Sequence, residues 1–201
     1  FDWSKSAHPQ LNQPSPAYHG MNFAETFGAI ALTIRARVEG LRDMGPCLSP
    51  FNAFMFLQGI ETLGMRMDRH VANALAVAKH LESHPLVTWV RHPGLESNAY
   101  NALAKQYLPK GAGAVFSFGV KGGYDAGRKF VDSLRVFSHL ANVGDARSLV
   151  IHPSSTTHQQ LSAEQQAGAG VTPDMIRLSI GLEDLDDLLW DLDQALAASQ
   201  Q

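Results

Sequence analysis

The sequence predicts an α/β fold of the α+β kind, a two-layer sheet with helices on one face, preceded by a helical tail. Three observations predict it. After His84-Pro85, short strand-like runs alternate with helical stripes, about five strands and four helices in roughly 115 residues. Before that point the apolar periodicity is helical only. Within Met175–Ile180 every second residue is a large aliphatic, as in a strand with one face on a core.

In chain order, Phe1 to Gly20 carries prolines at 9, 14 and 16 and little periodicity, which predicts extended loop. Phe23, Phe27, Ile30, Ile34, Val38 and Leu41 follow helical spacing. That helix is expected to end near Gly40, with Gly45-Pro46 as a firm break. Ser49-Pro50 opens a second helix, since Ser caps well and Pro suits the first helical position. From Phe51 to Leu63 the apolar residues lie on nearly all sides, including Phe54, Met55, Phe56, Leu57 and Ile60. A helix apolar all round is expected to be buried in a large core. Beyond Arg66 a single stripe remains: Val71, Ala74, Leu75, Ala78 and Leu81. The change predicts a helix joining two domains, with the boundary near Met65, and Gly59 and Gly64 as places for a bend.

Further on, Leu86–Arg91, Ala114–Val120, Val136–Leu140, Leu149–His152 and Met175–Ile180 are expected strands. Tyr100–Leu108 and Tyr124–Leu134 are expected helices. Leu185, Leu188, Leu189, Leu192 and Leu196 form the clearest helical stripe. Glu183, Asp184, Asp186 and Asp187 are expected in its first turn, beside the positive end of the helix dipole.

Composition excludes several classes. A net charge of −3 with scattered Lys and Arg offers no nucleic-acid surface. Cys47 is the only cysteine, so neither an intrachain disulfide nor a cysteine metal cluster is possible, and a reducing, cytoplasmic compartment fits. The apolar run Phe51–Leu57 is too short for a membrane span. The chain opens on Phe1-Asp2-Trp3 without Met, which fits tag removal or the continuation of a longer polypeptide.

Among candidate functional residues, Arg177 is the most informative. If helices cover Ile176, Leu178 and Ile180, Arg177 and Ser179 project from the opposite face. A guanidinium there matches a carboxylate with its planar fork, or serves as a structural or solvated strand arginine. Asn142-Val143-Gly144-Asp145 has turn chemistry and amides able to face an anion, or is a plain connection. His152-Pro153-Ser154-Ser155-Thr156-Thr157-His158 is polar, but its His spacing fits no zinc pattern, so no metal is expected. His80 and His84 share a helix face, which solvent exposure also explains. Gly111-Ala112-Gly113 and Gly168-Ala169-Gly170 lack a dinucleotide fingerprint.

Several segments together carry a family resemblance: Tyr18-His19-Gly20; Ser49-Pro50-Phe51-Asn52-Ala53-Phe54; Gly59-Ile60-Glu61-Thr62-Leu63 with Arg66-Met67; Val87 with His92-Pro93-Gly94-Leu95; Phe116-Ser117-Phe118; Asn142-Val143-Gly144-Asp145 with Ser148-Leu149; His152 to His158; and Ile176-Arg177-Leu178-Ser179-Ile180-Gly181 with Glu183. In this order they resemble the Cys/Met-metabolism family of pyridoxal-phosphate enzymes, over nearly the whole chain. The Asn142 and Ser49 segments most resemble O-acetylhomoserine sulfhydrylases, whereas cystathionine synthases and lyases usually carry Ser-Leu-Gly at Asn142-Val143-Gly144.

The resemblance implies the C-terminal portion of a fold-type-I subunit. Residues 1–65 would be the tail of the large cofactor-binding domain with its connecting helix, and 66–201 the C-terminal small domain. Arg177 would bind the substrate α-carboxylate, Asn142 would help hold it, and Thr157 would lie near that pocket. The cofactor would be pyridoxal phosphate, the partners the N-terminal portion of the polypeptide, a small amino-acid substrate and further copies in a homotetramer. The family lysine follows a Ser-x-Thr motif, and none of Lys5, Lys79, Lys105, Lys110, Lys121 and Lys129 does. Lys5, in Ser4-Lys5-Ser6, resembles the linker after the true site. The catalytic Schiff-base lysine is therefore absent from this chain, and so are the residues that grip the cofactor. The alternatives are a cystathionine γ-synthase or γ-lyase, or a non-catalytic ligand-binding or interaction module.

Overall fold

A computed structural model describes residues 1–201 throughout. The chain divides into two compact units, Phe1–Gly59 and Ile60–Gln201.

The first unit is built of short helical pieces. They include α1 (Pro9–Asn12), α2 (Phe23–Phe27) and α3 (Ala31–Arg35). Asn22 caps α2 by accepting from the Glu25 amide at 3.2 Å. Phe23 and Ala31 are fully buried here. The helix expected from Phe23 to Gly40 is not continuous. Gly28, at φ 54 and ψ −126, interrupts it, and a π-helical stretch carries the chain on from Ala36 to Met44. It stops one residue before Pro46, at Gly45, because that residue takes the left-handed conformation (φ 78) that closes a helix and Gly40 does not. Tyr18 Oη donates to the Val38 carbonyl at 2.9 Å and pins this stretch.

Ser49 accepts from the Asn52 amide at 3.1 Å, and helix α4 (Pro50–Glu61) follows. The expected bend falls at Thr62, between the two glycines, and α5 (Leu63–Ser83) continues. Within residues 1–201 the burial expected for Phe51–Leu63 is not seen. Phe51, Phe56 and Ile60 are 69%, 61% and 62% exposed, and α4 has no buried residue. Its large side chains form an exposed apolar surface of the kind that marks an interaction site.

The second unit holds a five-stranded sheet in the order β1-β2-β5-β4-β3. Its strands are β1 (Val87–Arg91), β2 (Val115–Val120), β3 (Ser138–His139), β4 (Leu149–Ile151) and β5 (Met175–Ser179). All pairs are antiparallel except β3 with β4. Between the strands lie α6 (Asn101–Tyr107), α7 (Gly123–Ser133) and α8 (Ala163–Gly168), and α9 (Leu185–Ser199) closes the chain. Helix α8 was not expected; a Ser162/Gln165 capping box starts it.

Alternation along the strands sends Phe116, Phe118, Val120, Ile176, Leu178 and Val150 to one face. There they bury against α5, α7 and α9, with Phe118 edge-on to Phe130 at 5.6 Å. Each such aromatic or aliphatic side chain contributes about 1.5–3 kcal/mol. Asp191 of α9, fully buried, accepts from the amides of Arg135, Val136 and Phe137 at 2.8, 2.8 and 3.2 Å. It thereby holds the turn that follows α7.

Candidate functional site

Arg177 lies at the centre of the central strand. Ser117 of β2 and Ile151 of β4 stand opposite it, and Arg91 of β1 completes the row. Ile176, Leu178 and Ile180 are fully buried on the helix side, so Arg177 projects from the helix-free face. Its side chain is half-buried and forms no ion pair with any carboxylate of the chain. Nη2 donates one long hydrogen bond, 3.4 Å, to the Asn142 carbonyl. A guanidinium has five donors, so most of this fork remains available to an incoming acceptor. Arg91 is engaged differently, stacked 4.7 Å from the Trp89 ring centroid.

The Asn142 loop takes its shape from its own sequence. The Asn142 side chain accepts from the Val143 amide at 2.9 Å, and Gly144 supplies the left-handed turn at φ 72. Asp145 accepts from the Arg147 amide at 3.0 Å. Residues 35 apart in sequence, Asn142 and Arg177, thus meet.

Thr157 is exposed, and its hydroxyl is paired with His158 Nδ1 at 2.8 Å. No hydrogen bond joins it to Arg177 or Asn142. His152, nearly fully buried, has both ring nitrogens engaged. Nε2 lies 2.7 Å from the Pro173 carbonyl and Nδ1 lies 2.8 Å from Ser155 Oγ. A carbonyl only accepts, so Nε2 carries the hydrogen and Nδ1 accepts from the serine. Burial pushes its pKa down, as it does for His92 and His84. His80 is not merely solvated, because Nε2 lies 2.6 Å from Asp193 Oδ1.

Sequence reasoning did not single out His70 and Asn73, and it named Ser148 and Glu183 without their mutual contact. Glu183 was expected in the first turn of α9, but Asp184 is the cap of that helix and accepts from the Asp186 amide. The Glu183 carboxylate turns to Ser148 instead, accepting from its amide at 2.6 Å and from its hydroxyl at 2.8 Å. His70 and Asn73 occupy buried positions on α5 because they take the carbonyls of Ile180 and Gly181. The only available signal was their helical spacing with the buried Ala74 and Val77.

All six lysines are exposed, and Lys5 pairs with Asp2 at 3.3 Å.

The fold is thus a five-stranded sheet with helices on one side and a strand arginine on the other. The model of the Cys/Met metabolism PLP-dependent enzyme family matches residues 14–197, and the chain belongs to that family. It is 54% identical to the homocysteine synthase of Schizosaccharomyces pombe over 98% of its own length and 46% of that protein's. It is 51% identical to the O-acetyl-L-homoserine sulfhydrylase of Leptospira meyeri, with the same coverage. Its fold superimposes, at a TM-score of 0.85 and 46% identity, on a Campylobacter jejuni protein assigned as an O-acetylhomoserine (thiol)-lyase, covering 94% of this chain and 45% of that one. That crystal structure holds N'-pyridoxyl-lysine-5'-monophosphate. The chain spans about half the length of the curated relatives it matches.

Proposed function

We propose that this chain is the C-terminal part of an O-acetylhomoserine sulfhydrylase, which makes homocysteine from O-acetylhomoserine and sulfide. Residues 1–65 would complete a larger cofactor-binding domain, and residues 66–201 would form the small domain that closes over the substrate. The observation that carries this reading is Arg177: a half-buried guanidinium without an ion pair, on the helix-free face, beside the Asn142 turn. Asn142-Val143-Gly144 and the names of the relatives support a sulfhydrylase over a cystathionine-forming or cystathionine-cleaving enzyme.

In the reaction, Arg177 takes the substrate α-carboxylate in its fork and so fixes the direction of the α C–H bond. Acetate leaves the γ-carbon and sulfide adds there. Fixing one end of a small substrate converts binding into orientation, and a loose fit costs rate as well as affinity. Asn142, whose carbonyl accepts from Arg177 Nη2, would help hold the same carboxylate. Thr157, which is exposed, would lie near the same carboxylate.

The N-terminal portion of the same polypeptide would cover α4, whose exposed Phe51, Phe54, Phe56 and Leu57 support the need for it. A homotetramer in the cytoplasm belongs to the same reading, and the single free Cys47 suits a reducing compartment.

The test is steady-state kinetics of the full-length protein that contains this chain. Homocysteine should form from O-acetylhomoserine and sulfide, and Arg177→Ala should raise KM for O-acetylhomoserine at least about tenfold, the loss of one charge-assisted contact. Cystathionine as the main product with cysteine, or no turnover at all, would overturn the reading.

A further inference from the structure

Arg177 sits on the hydrogen-bonded central strand, whereas Asn142 sits in an exposed loop beside it. The far end of that loop is Ser148, fully buried. Its amide and hydroxyl both donate to the Glu183 carboxylate, at 2.6 and 2.8 Å. The Ser148 oxygen in turn accepts from the Gly181 amide at 2.8 Å, and the Leu182 amide donates to the Ala146 carbonyl at 2.9 Å. Loop and strand end approach so closely that a Cβ on Gly181 would lie 2.5 Å from the Ala146 carbonyl oxygen. From the other side, α5 holds the same strand end. His70 Nδ1 lies 2.6 Å from the Ile180 carbonyl, and Asn73 Nδ2 donates to the carbonyls of Gly181 and Glu183 at 3.2 and 3.0 Å. Arg69 Nη2 adds a bond to the Glu183 carbonyl at 3.1 Å.

We propose that Glu183 is a positioning residue for substrate binding: through Ser148 it fixes the 142–148 loop so that Asn142 stays beside Arg177 when the α-carboxylate arrives. This inference rests on Arg177 as the carboxylate clamp. Glu183 itself cannot bind the substrate group, because an anion would repel a carboxylate and both its oxygens are taken by Ser148. Two charge-assisted bonds to a buried serine are stronger than neutral ones, which suits a tether for an otherwise exposed loop. The carboxylate reads out as order in the loop and not as charge in the pocket.

A double-mutant cycle on the full-length protein tests this, with Glu183→Ala, Glu183→Gln, Ser148→Ala, Arg177→Ala and their combinations. Glu183→Ala should raise KM for O-acetylhomoserine about tenfold. Glu183→Gln, which keeps one carbonyl acceptor, and Ser148→Ala, which keeps the amide, should have smaller effects. All three should lose their effect in the Arg177→Ala background, since a loop that positions the clamp has nothing left to position. Hydrogen exchange should accelerate in residues 142–148 of the single variants and stay unchanged in α9. Three results would overturn the inference. Glu183 variants without effect on KM would do so while Arg177→Ala raises it. So would Glu183 effects of equal size in both backgrounds. Arg177→Ala without effect would remove the clamp reading and the inference with it, and this result is distinct from the other two.

Discussion

Arg177 Nη2 donates to the Asn142 carbonyl at 3.4 Å, and this contact joins the central strand of the sheet to the loop that leads into the neighbouring strand β4. The contact is long and no carboxylate of the chain competes for the guanidinium, so the fork is oriented without being neutralised. Such an arrangement suits an arginine whose partner arrives from outside.

The Asp191 carboxylate ties α9 to the turn after α7 through three backbone amides. Asp191→Ala leaves those donors without their acceptor in a partly buried setting. The variant is expected to lose about 3 kcal/mol of stability, with Asp191→Asn intermediate. Urea denaturation of the chain at neutral pH checks the order.

Acid should weaken the fold through its histidines. Burial lowers the pKa of His152, His92 and His84 below the usual imidazole value of about 6.5. As pH falls through that value, the unfolded chain takes up protons that the folded chain refuses. The stabilisation is complete above the ordinary pKa and is lost as pH falls toward and through the lowered one. The urea midpoint should therefore drop between pH 7.5 and 5.5, and His152→Gln should flatten part of the slope. A midpoint that holds or rises on acidification contradicts this.

Much of the fold was legible in the sequence because it rests on local alternation. Ile176, Leu178 and Ile180 announced their burial and placed Arg177 opposite, without any knowledge of strand order. The strand order itself comes from contacts between residues far apart, such as Ser117 with Arg177, which periodicity does not encode. Glu183 shows the same limit. Its acidic neighbours made it look like a helix-dipole residue, whereas its true partner, Ser148, is 35 positions away. Helix α4 was read correctly as a helix, but its apolar residues are exposed within residues 1–201.

That uncovered helix gives a prediction with opposite signs in two settings. Phe54→Lys with Leu57→Glu should make residues 1–201 less prone to self-associate, measured by light scattering, because an exposed apolar patch drives association. The same pair in the full-length protein should lower its melting temperature, since there the helix would be buried. Tolerance of both substitutions in the full-length protein contradicts burial of α4.

The lysines give another. With pyridoxal phosphate and borohydride, residues 1–201 should retain no more fixed pyridoxyl label than an unrelated protein with as many surface lysines, since all six are exposed. Stoichiometric labelling of one lysine, located by peptide mass, would show an anchor within this chain.

The most direct measurement compares two ligands that differ only at the group Arg177 is said to hold. An amino-acid substrate analogue and its carboxamide would be titrated into the full-length protein and into Arg177→Ala. The intact protein should prefer the carboxylate by roughly ten- to a hundredfold, as one charge-assisted bond requires, and Arg177→Ala should abolish most of that preference. An equal preference in both proteins would mean that another group binds the carboxylate.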